Sequence, residues 1–414
     1  MPTDHAILAP SAAKRWMTCT PSARLEAQVP NKDTAYTREG TIAHSMAEQL
    51  LTIALEQQWT GWPDDFPEKF RMAHEAAAEG GQLAPLFNEL RSAVRQAQSE
   101  NLDPWEMMQT VSENYCRIVY EDFLQARNED PEAVLLIEQR LKLGEYVPEG
   151  FGSSDAVLIY GSTLQVYDLK YGKGIKVSAK HNPQMMCYAL GAVLGPGELY
   201  DLDTVKMTII QPRLEWVSTE ETTYWDLLKW AAEELKPAAI MAYQGAGEFQ
   251  PGEHCRFCNV APRCKALAAK AATLNASRGD SALMTNEEIA EAIRNAASLK
   301  SWIASLEAYA LEKALEGETF PGFKVVEGRS IRQISDPTRA MAILSDAGFE
   351  ESSYVKPKEL KTITDLEKLL KKKGFAELLG DLVIKPQGKP ALVEESDPRP
   401  VFNSAKEDFK EYLQ

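Results

Sequence analysis

Hydrophobic spacing of three and four residues first becomes regular in GTIAHSMAEQLLTIALEQQ, where His44, Ala47, Leu51 and Leu55 share one helical stripe. The pattern predicts a helix from about Arg38 to Gln57, with His44 facing inward. A shorter helix is expected over 11–17, capped by Ser11 and leading to Cys19. After a Trp/Pro/Asp-rich loop at 59–67, helical sequence runs to about residue 100 and again over 104–127. At Ala133 the pattern changes. AVLLIEQRL (133–141), SDAVLIY (154–160) and LQVYDLK (164–170) are apolar and strand-length, and Gly161-Ser162 makes a tight hairpin connection between the last two. A helix from about Asn182 to Val193 precedes a further strand, VKMTIIQ, at 205–211. Beyond Glu215 the chain is expected to be helical to about Tyr243.

The order β-β-β-α-β, preceded by helices, predicts the α/β class: a mixed sheet flanked by helices, with additional helical segments. Three parts are expected. Residues 1–270 form the core domain, 271–320 a long connecting helix, and 321–414 a small C-terminal α/β module. The amphipathic run at 286–316 opens with a capping box of Thr285 and Glu288. Pro386, Pro390, Pro398 and Pro400 mark an extended tail.

A hydrophobic content of 44% suits a globular protein with a sizeable core. No window approaches twenty apolar residues, and Met1–Pro10 lacks a basic region followed by an apolar stretch, so a cytoplasmic protein with no membrane partner is expected. The formal charge of −16 argues against nucleic acid only on average, because binding depends on where positive groups cluster. Two clusters oppose it. One is Lys170, Lys173, Lys176, Lys180 and His181; the other is Lys356, Lys358, Lys361, Lys368, Lys371, Lys372 and Lys373. Either could contact phosphates, and either could be a solvated face.

The densest candidate chemistry lies in GFGSSDAVLIYGSTLQVYDLKYGKG. Strand alternation puts Asp168 and Lys170 on one face with Leu169 pointing away, and the hairpin can bring Asp155 across to them. Two converging carboxylates suit a hard divalent cation, and a nearby lysine can orient water or stabilise phosphate charge. Solvated edge residues are the bland alternative, weakened because charges in an apolar strand are costly unless paired or metal-bound. Glu138, near the end of the first strand, is a weaker candidate for the site and reads more readily as a surface glutamate. Cys255-x-x-Cys258-x5-Cys264 is a compact three-cysteine arrangement that needs a fourth ligand. Zinc sites more often use two close pairs, although His254 and His5 keep zinc open. Cys116 and Cys187, in apolar surroundings, read as ordinary buried thiols.

Gly152-x-x-Asp155, Asp168-x-Lys170 and Gln184-x-x-x-Tyr188, with EGTIAH upstream, resemble the RecB-type branch of the PD-(D/E)XK nucleases over about residues 8–270. The resemblance implies a restriction-endonuclease-like fold and a Mg²⁺- or Mn²⁺-dependent deoxyribonuclease. Asp155, Asp168, His44 and the Leu169 carbonyl would be its metal ligands. Lys170 would assist attack, and Gln184 and Tyr188, one helical turn apart, would position the substrate backbone. Iron–sulfur members of that branch, the CRISPR-associated exonucleases among them, carry one cysteine before the nuclease core and three after it. On that pattern Cys19 joins Cys255, Cys258 and Cys264 around a [4Fe-4S] cluster, with Zn²⁺ as the alternative.

The remainder resembles an uncharacterised phage and prophage family sharing the EGTxAH and DLKYG segments. The implied activity is an exonuclease that processes DNA ends in recombination or replication, with DNA and a single-strand DNA-binding or annealing protein as partners. The competing class is a non-catalytic DNA-binding or assembly protein that retains the fold.

Overall fold

The computed structural model describes residues 6–29, 34–78, 85–276, 285–321 and 323. The chain divides into two units, Met1–Ala310 and Leu311–Gln414. The expected C-terminal module, its proline-rich tail and the 356–373 lysine cluster lie outside the described residues, as does His5.

Two short helices, α1 (Ala13–Thr18) and α2 (Ser22–Glu26), precede the long α3 (Ala35–Glu56). The expected Ser11 cap is not formed: a turn at Pro10–Ala12 starts the segment, and α1 begins without a side-chain cap. Burial anchors it instead, because Trp16 is 1% exposed and its indole N–H donates to the Ala9 carbonyl at 3.0 Å. α3 starts earlier than expected because Thr34 caps it through a reciprocal box with Thr37. Then come α4 (Phe66–Ala78), α5 (Asn88–Ser99), α6 (Pro104–Val111), a π-turn at Ser112–Cys116 and α7 (Arg117–Glu129). Buried Ile42, Met46, Leu50 and Leu51 of α3 meet Leu90 and Val94 of α5, Met108 of α6 and Val119 of α7. Each such side chain contributes roughly 1.5–3 kcal/mol of hydrophobic burial.

The sheet has five strands in sequential order: β1 (Val134–Lys142), β2 (Phe151–Tyr160), β3 (Thr163–Leu169), β4 (Thr204–Gln211) and β5 (Trp216–Thr223). All neighbours are antiparallel except β3 and β4, which α8 (Pro183–Leu194) connects as a parallel crossover. β5 corrects the expectation of helix beyond Glu215. Its sequence, WVSTEETT, alternates half-buried and exposed positions with period two, but its half-buried side chains are mostly polar. A hydrophobic-moment reading therefore passes over it. Helix resumes in α9 (Tyr224–Trp230) and α10 (Lys236–Gln244), followed by α11 (Lys265–Ala276) and α12 (Asn286–Leu315). Thr285 stands just ahead of α12, while the Glu288 side chain lies outside the described ones.

Two cores flank the sheet. Leu135, Ala156, Leu158, Tyr167 and Leu169 pack on the α3–α7 layer, while Val157, Ile159, Leu164, Val166 and Ile209 pack on α8 and α10. Further along the β1–β2 hairpin the faces exchange. Opposite Val157, Leu136 serves the α8 layer; five residues on, so does Leu141, opposite a Gly152 whose Cβ direction meets Pro10 and Tyr188. An odd step between residues on the same face requires a break in alternation. The break is at Glu138, which has φ 47° and is the one β1 residue between Val134 and Lys142 left out of the ladder.

Candidate functional site

The site forms where β2 and β3 stop pairing. The β2–β3 ladder ends at Ala156 opposite Tyr167, so Asp155 and Asp168 stand just past the final rung. Regular alternation continues along β3: Tyr167 and Leu169 enter the α3 core, and Asp168 turns to the α8 layer. Asp155 ties α3 to the end of β3. Its Oδ1 lies 2.8 Å from His44 Nδ1 on α3, and its Oδ2 accepts the Leu169 backbone N–H at 2.6 Å.

His44, Glu138 and Asp155 bring one ligand atom each to within 4.8 Å of the others, the one such group among the described residues. Glu138 is therefore not a surface glutamate. It is half-buried and faces His44 and Asp155, because the left-handed backbone at 138 redirects it from its regular place in the strand. A left-handed non-glycine residue costs on the order of 1–2 kcal/mol. Its appearance within an otherwise regular hairpin fits strain held at a functional point.

Charges in this pocket are strongly perturbed. Burial alone would lower the His44 pKa, but the charge and hydrogen bond of Asp155 outweigh it and hold His44 up at about 9. Burial would raise Asp155; the His44 imidazolium, the Leu169 N–H and Lys170 bring it below the ordinary carboxylate value. Burial, then the neighbouring Asp155, pushes Glu138 up to about 7. Asp168, 4% exposed, is raised by burial and by Asp155 against the pull of Lys170.

Asp168 stays outside the three-residue group and forms its own network. Lys170 Nζ donates to Oδ1 at 3.1 Å and lies 2.9 Å from Oδ2. That second approach is an ion-pair contact with poor hydrogen-bond geometry, so Oδ2 is left without a hydrogen bond. Gln184 Nε2 donates to Asp168 Oδ1 at 3.1 Å and to the Tyr188 hydroxyl at 3.3 Å. Asn182 caps α8 by accepting the Gln184 backbone N–H, which places Gln184 and Tyr188 against the sheet end. Of the sequence-derived residues, His44, Asp155, Asp168, Lys170, Gln184, Tyr188 and the Leu169 backbone thus converge.

Two residues gain weight beyond the sequence reading. One is Glu138, there only a weaker candidate, although legible as a charge inside an apolar strand. The other is Tyr115 on the π-turn, fully buried, with no hydrogen-bond partner for its hydroxyl. Burial, followed by the charges of Asp155, Asp168 and Glu138, raises Tyr115 well above its ordinary value. π-turns inside helices recur at functional sites. An imidazole, two carboxylates and the unsatisfied oxygens of Asp168 and Tyr115 together fit a hard divalent cation.

The loop leaving the site, residues 170–182, exposes Lys173, Lys176, Lys180 and His181. Lys176 lies 4.5 Å over the Trp216 ring, and His181 reaches Glu220 at 3.4 Å. Above it, Arg213 donates to Glu39 at 2.6 Å, tying the EGTIAH turn of α3 to the end of β4.

Cys19 ends α1, and Cys255, Cys258 and Cys264 lie on or beside two short turns at Glu253–Phe257 and Ala261–Arg263. Their sulfurs form no group as tight as the His44 one among the described residues. They do interact: burial first, and then the charges of Cys19 and Cys264, raise the Cys255 thiol. Burial and Glu26 push Cys258 up to about 12. Glu26 joins this segment to the N-terminal helices by accepting from Asn259 N–H at 2.8 Å and Arg15 at 2.6 Å. His254 is half-buried, with its Nε2 unpartnered. Cys116 and Cys187 are fully buried in the two cores.

The molecule is thus a mixed α/β protein whose five-stranded mixed sheet, flanked by helices, carries an acidic–histidine group able to hold a metal ion. Residues 5–400 match the family described as a protein of unknown function (DUF2800), and the chain belongs to that family. No helix among the described residues is long and apolar enough to cross a membrane.

Proposed function

We propose that this protein is a metal-dependent deoxyribonuclease with restriction-endonuclease-like chemistry, an exonuclease acting on DNA ends in recombination or replication. The observation that carries the reading is the meeting of His44, Glu138 and Asp155 with the Asp168–Lys170–Gln184–Tyr188 network at one sheet end. His44, Glu138 and Asp155 would hold Mg²⁺ or Mn²⁺, with Asp168 and the Leu169 carbonyl beside them. A bound divalent ion supplies Lewis acidity toward phosphate and water at neutral pH. Lys170, held by Asp168, brings a positive charge to the phosphate. Gln184 and Tyr188 orient the substrate backbone, and Lys173, Lys176 and Lys180 supply attraction to phosphate nearby.

Cys19, Cys255, Cys258 and Cys264 would ligate a [4Fe-4S] cluster, stapling α1 to the end of the core. Zn²⁺ is the alternative occupant. A single-strand DNA-binding or annealing protein would be the partner of such an enzyme.

The test is degradation of end-labelled linear DNA with Mg²⁺ and Mn²⁺ by an anaerobic preparation. Wild type should cleave, with EDTA abolishing the activity, and Asp168→Asn and Lys170→Ala should each lose a hundredfold or more, on the order of removing one preorganised electrostatic group. Intact DNA under all conditions would overturn the proposal in favour of a non-catalytic DNA-binding protein.

A further inference from the structure

Beyond the metal group, the β1–β2 hairpin carries a second constellation. Leu141 and Gly152 face the α8 layer, so their neighbours Arg140, Lys142, Phe151 and Ser153 project from the opposite face, the one α3 covers further up the sheet. His44 comes from that same α3 side. Arg140 lies two residues from Glu138, and Phe151 four from Asp155. At about 3.4 Å per strand residue these are roughly 7 and 14 Å from the metal group.

Here the Arg140 guanidinium lies over the Phe151 ring, 4.2 Å from its centroid. The two residues border a cavity of about 350 Å³ that Lys142, Val147 and Glu149 also line. Arg140 and Lys142 are exposed, and no acidic side chain among the described residues lies within ion-pair distance of either. By contrast, nearby Lys236 pairs with Glu145 at 2.5 Å. Two cations outside any ion pair and an aromatic ring beneath a guanidinium, beside the proposed phosphate-cleaving centre, suit a ligand that is both anionic and planar.

We propose that Phe151 and Arg140 form a stacking platform for a base of single-stranded DNA, with Lys142 taking a neighbouring phosphate, so that the site engages an unpaired strand a few nucleotides from the cut. This rests on the nuclease reading. Phe151 supports the guanidinium from one side, and a base stacks on the other, a mode open to unpaired bases because duplex bases have both faces covered. The strand then runs along the hairpin from the platform to the metal group, both on one face of the sheet. Glu149 at the cavity rim disfavours a second phosphate there and leaves that space to the base.

The test is binding of fluorescently labelled single-stranded and blunt duplex oligonucleotides by the full chain, read by anisotropy with Ca²⁺ in place of Mg²⁺. Wild type should bind the single strand more tightly. Phe151→Ala and Arg140→Ala should each weaken single-strand binding about five- to a hundredfold, as expected for loss of one stacked base, with little change for duplex. Arg140→Lys, which keeps the charge and loses the plane, should match Arg140→Ala; this exposed substitution also guards against a folding artefact at half-buried Phe151. Equal losses for both oligonucleotides, retained binding in Arg140→Lys, or no binding by wild type would each overturn the platform. Cleavage that survives with platform-independent binding removes the platform alone. Platform-dependent binding without any cleavage removes the nuclease chemistry and leaves the platform.

Discussion

Loading the site with metal should eject protons, by an amount the pocket sets. Without metal, His44 is held at about 9 and is almost fully protonated at pH 7, while Glu138, at about 7, is half protonated. Both must lose their protons to act as ligands. The release at pH 7 is therefore about 1.5 protons per ion, falling to about 1 at pH 8 as Glu138 ionises unaided. Apparent affinity should rise between ten- and thirtyfold from pH 7 to pH 8 by the same linkage. The assay is calorimetric titration with Mn²⁺ in buffers of different ionisation enthalpy, where the slope of heat against buffer enthalpy counts protons. Glu138→Gln should lower that slope by about half a proton at pH 7. A slope near zero in wild type, or one unchanged in Glu138→Gln, would refute the assignment of His44 and Glu138 as ligands. The metal-free fold carries the mirror-image dependence. The raised His44 contributes stability that is complete below its ordinary value of 6.5 and is lost as pH rises through about 9. The depressed Asp155 contributes stability present above its ordinary value of 3.8 and lost as pH falls below it.

Three further outcomes follow from the same geometry. Glu138→Gly should stabilise the metal-free protein by about 0.5–1 kcal/mol, since relief of left-handed strain exceeds the entropic cost of glycine, while Mn²⁺ affinity falls; denaturant melts and metal titration check the two halves. Tyr115→Phe removes a buried hydroxyl that has no partner, so denaturation without metal should show stability unchanged or raised by about 1 kcal/mol, and a loss above that size would mean that the hydroxyl is satisfied. Anaerobically purified protein should be brown with about four irons per chain, and Cys19→Ser should lose the colour that Cys116→Ser keeps; a colourless protein carrying one zinc would support the alternative.

Strand alternation made much of the sheet readable, because β2 and β3 keep dense apolar runs and place Asp168 and Lys170 on one side. The α8 crossover was equally legible from Asn182 and the helical spacing after it. Two parts were hidden for physical reasons. β5 is a polar edge strand, so its period of two carries little hydrophobic contrast. Glu138 ranks low because a charge near a strand end reads as surface, and regular alternation gives no sign of the positive φ that turns it toward His44 and Asp155. Sequence periodicity assumes regular backbone, and this site lies where the backbone departs from it.

That departure has a consequence for how the protein tolerates change. Because both hairpin strands exchange faces at the rung of Glu138 and Asp155, the metal group is the pivot between two independently packed cores. Of the odd-numbered β1 side chains, Leu135 and Ile137 before the rung answer to the α3 layer, and Leu141 beyond it answers to the α8 layer. A selection for second-site suppressors of a weakened metal ligand should therefore recover substitutions from both cores, clustering along the two strands at the pivot rather than within either helical layer.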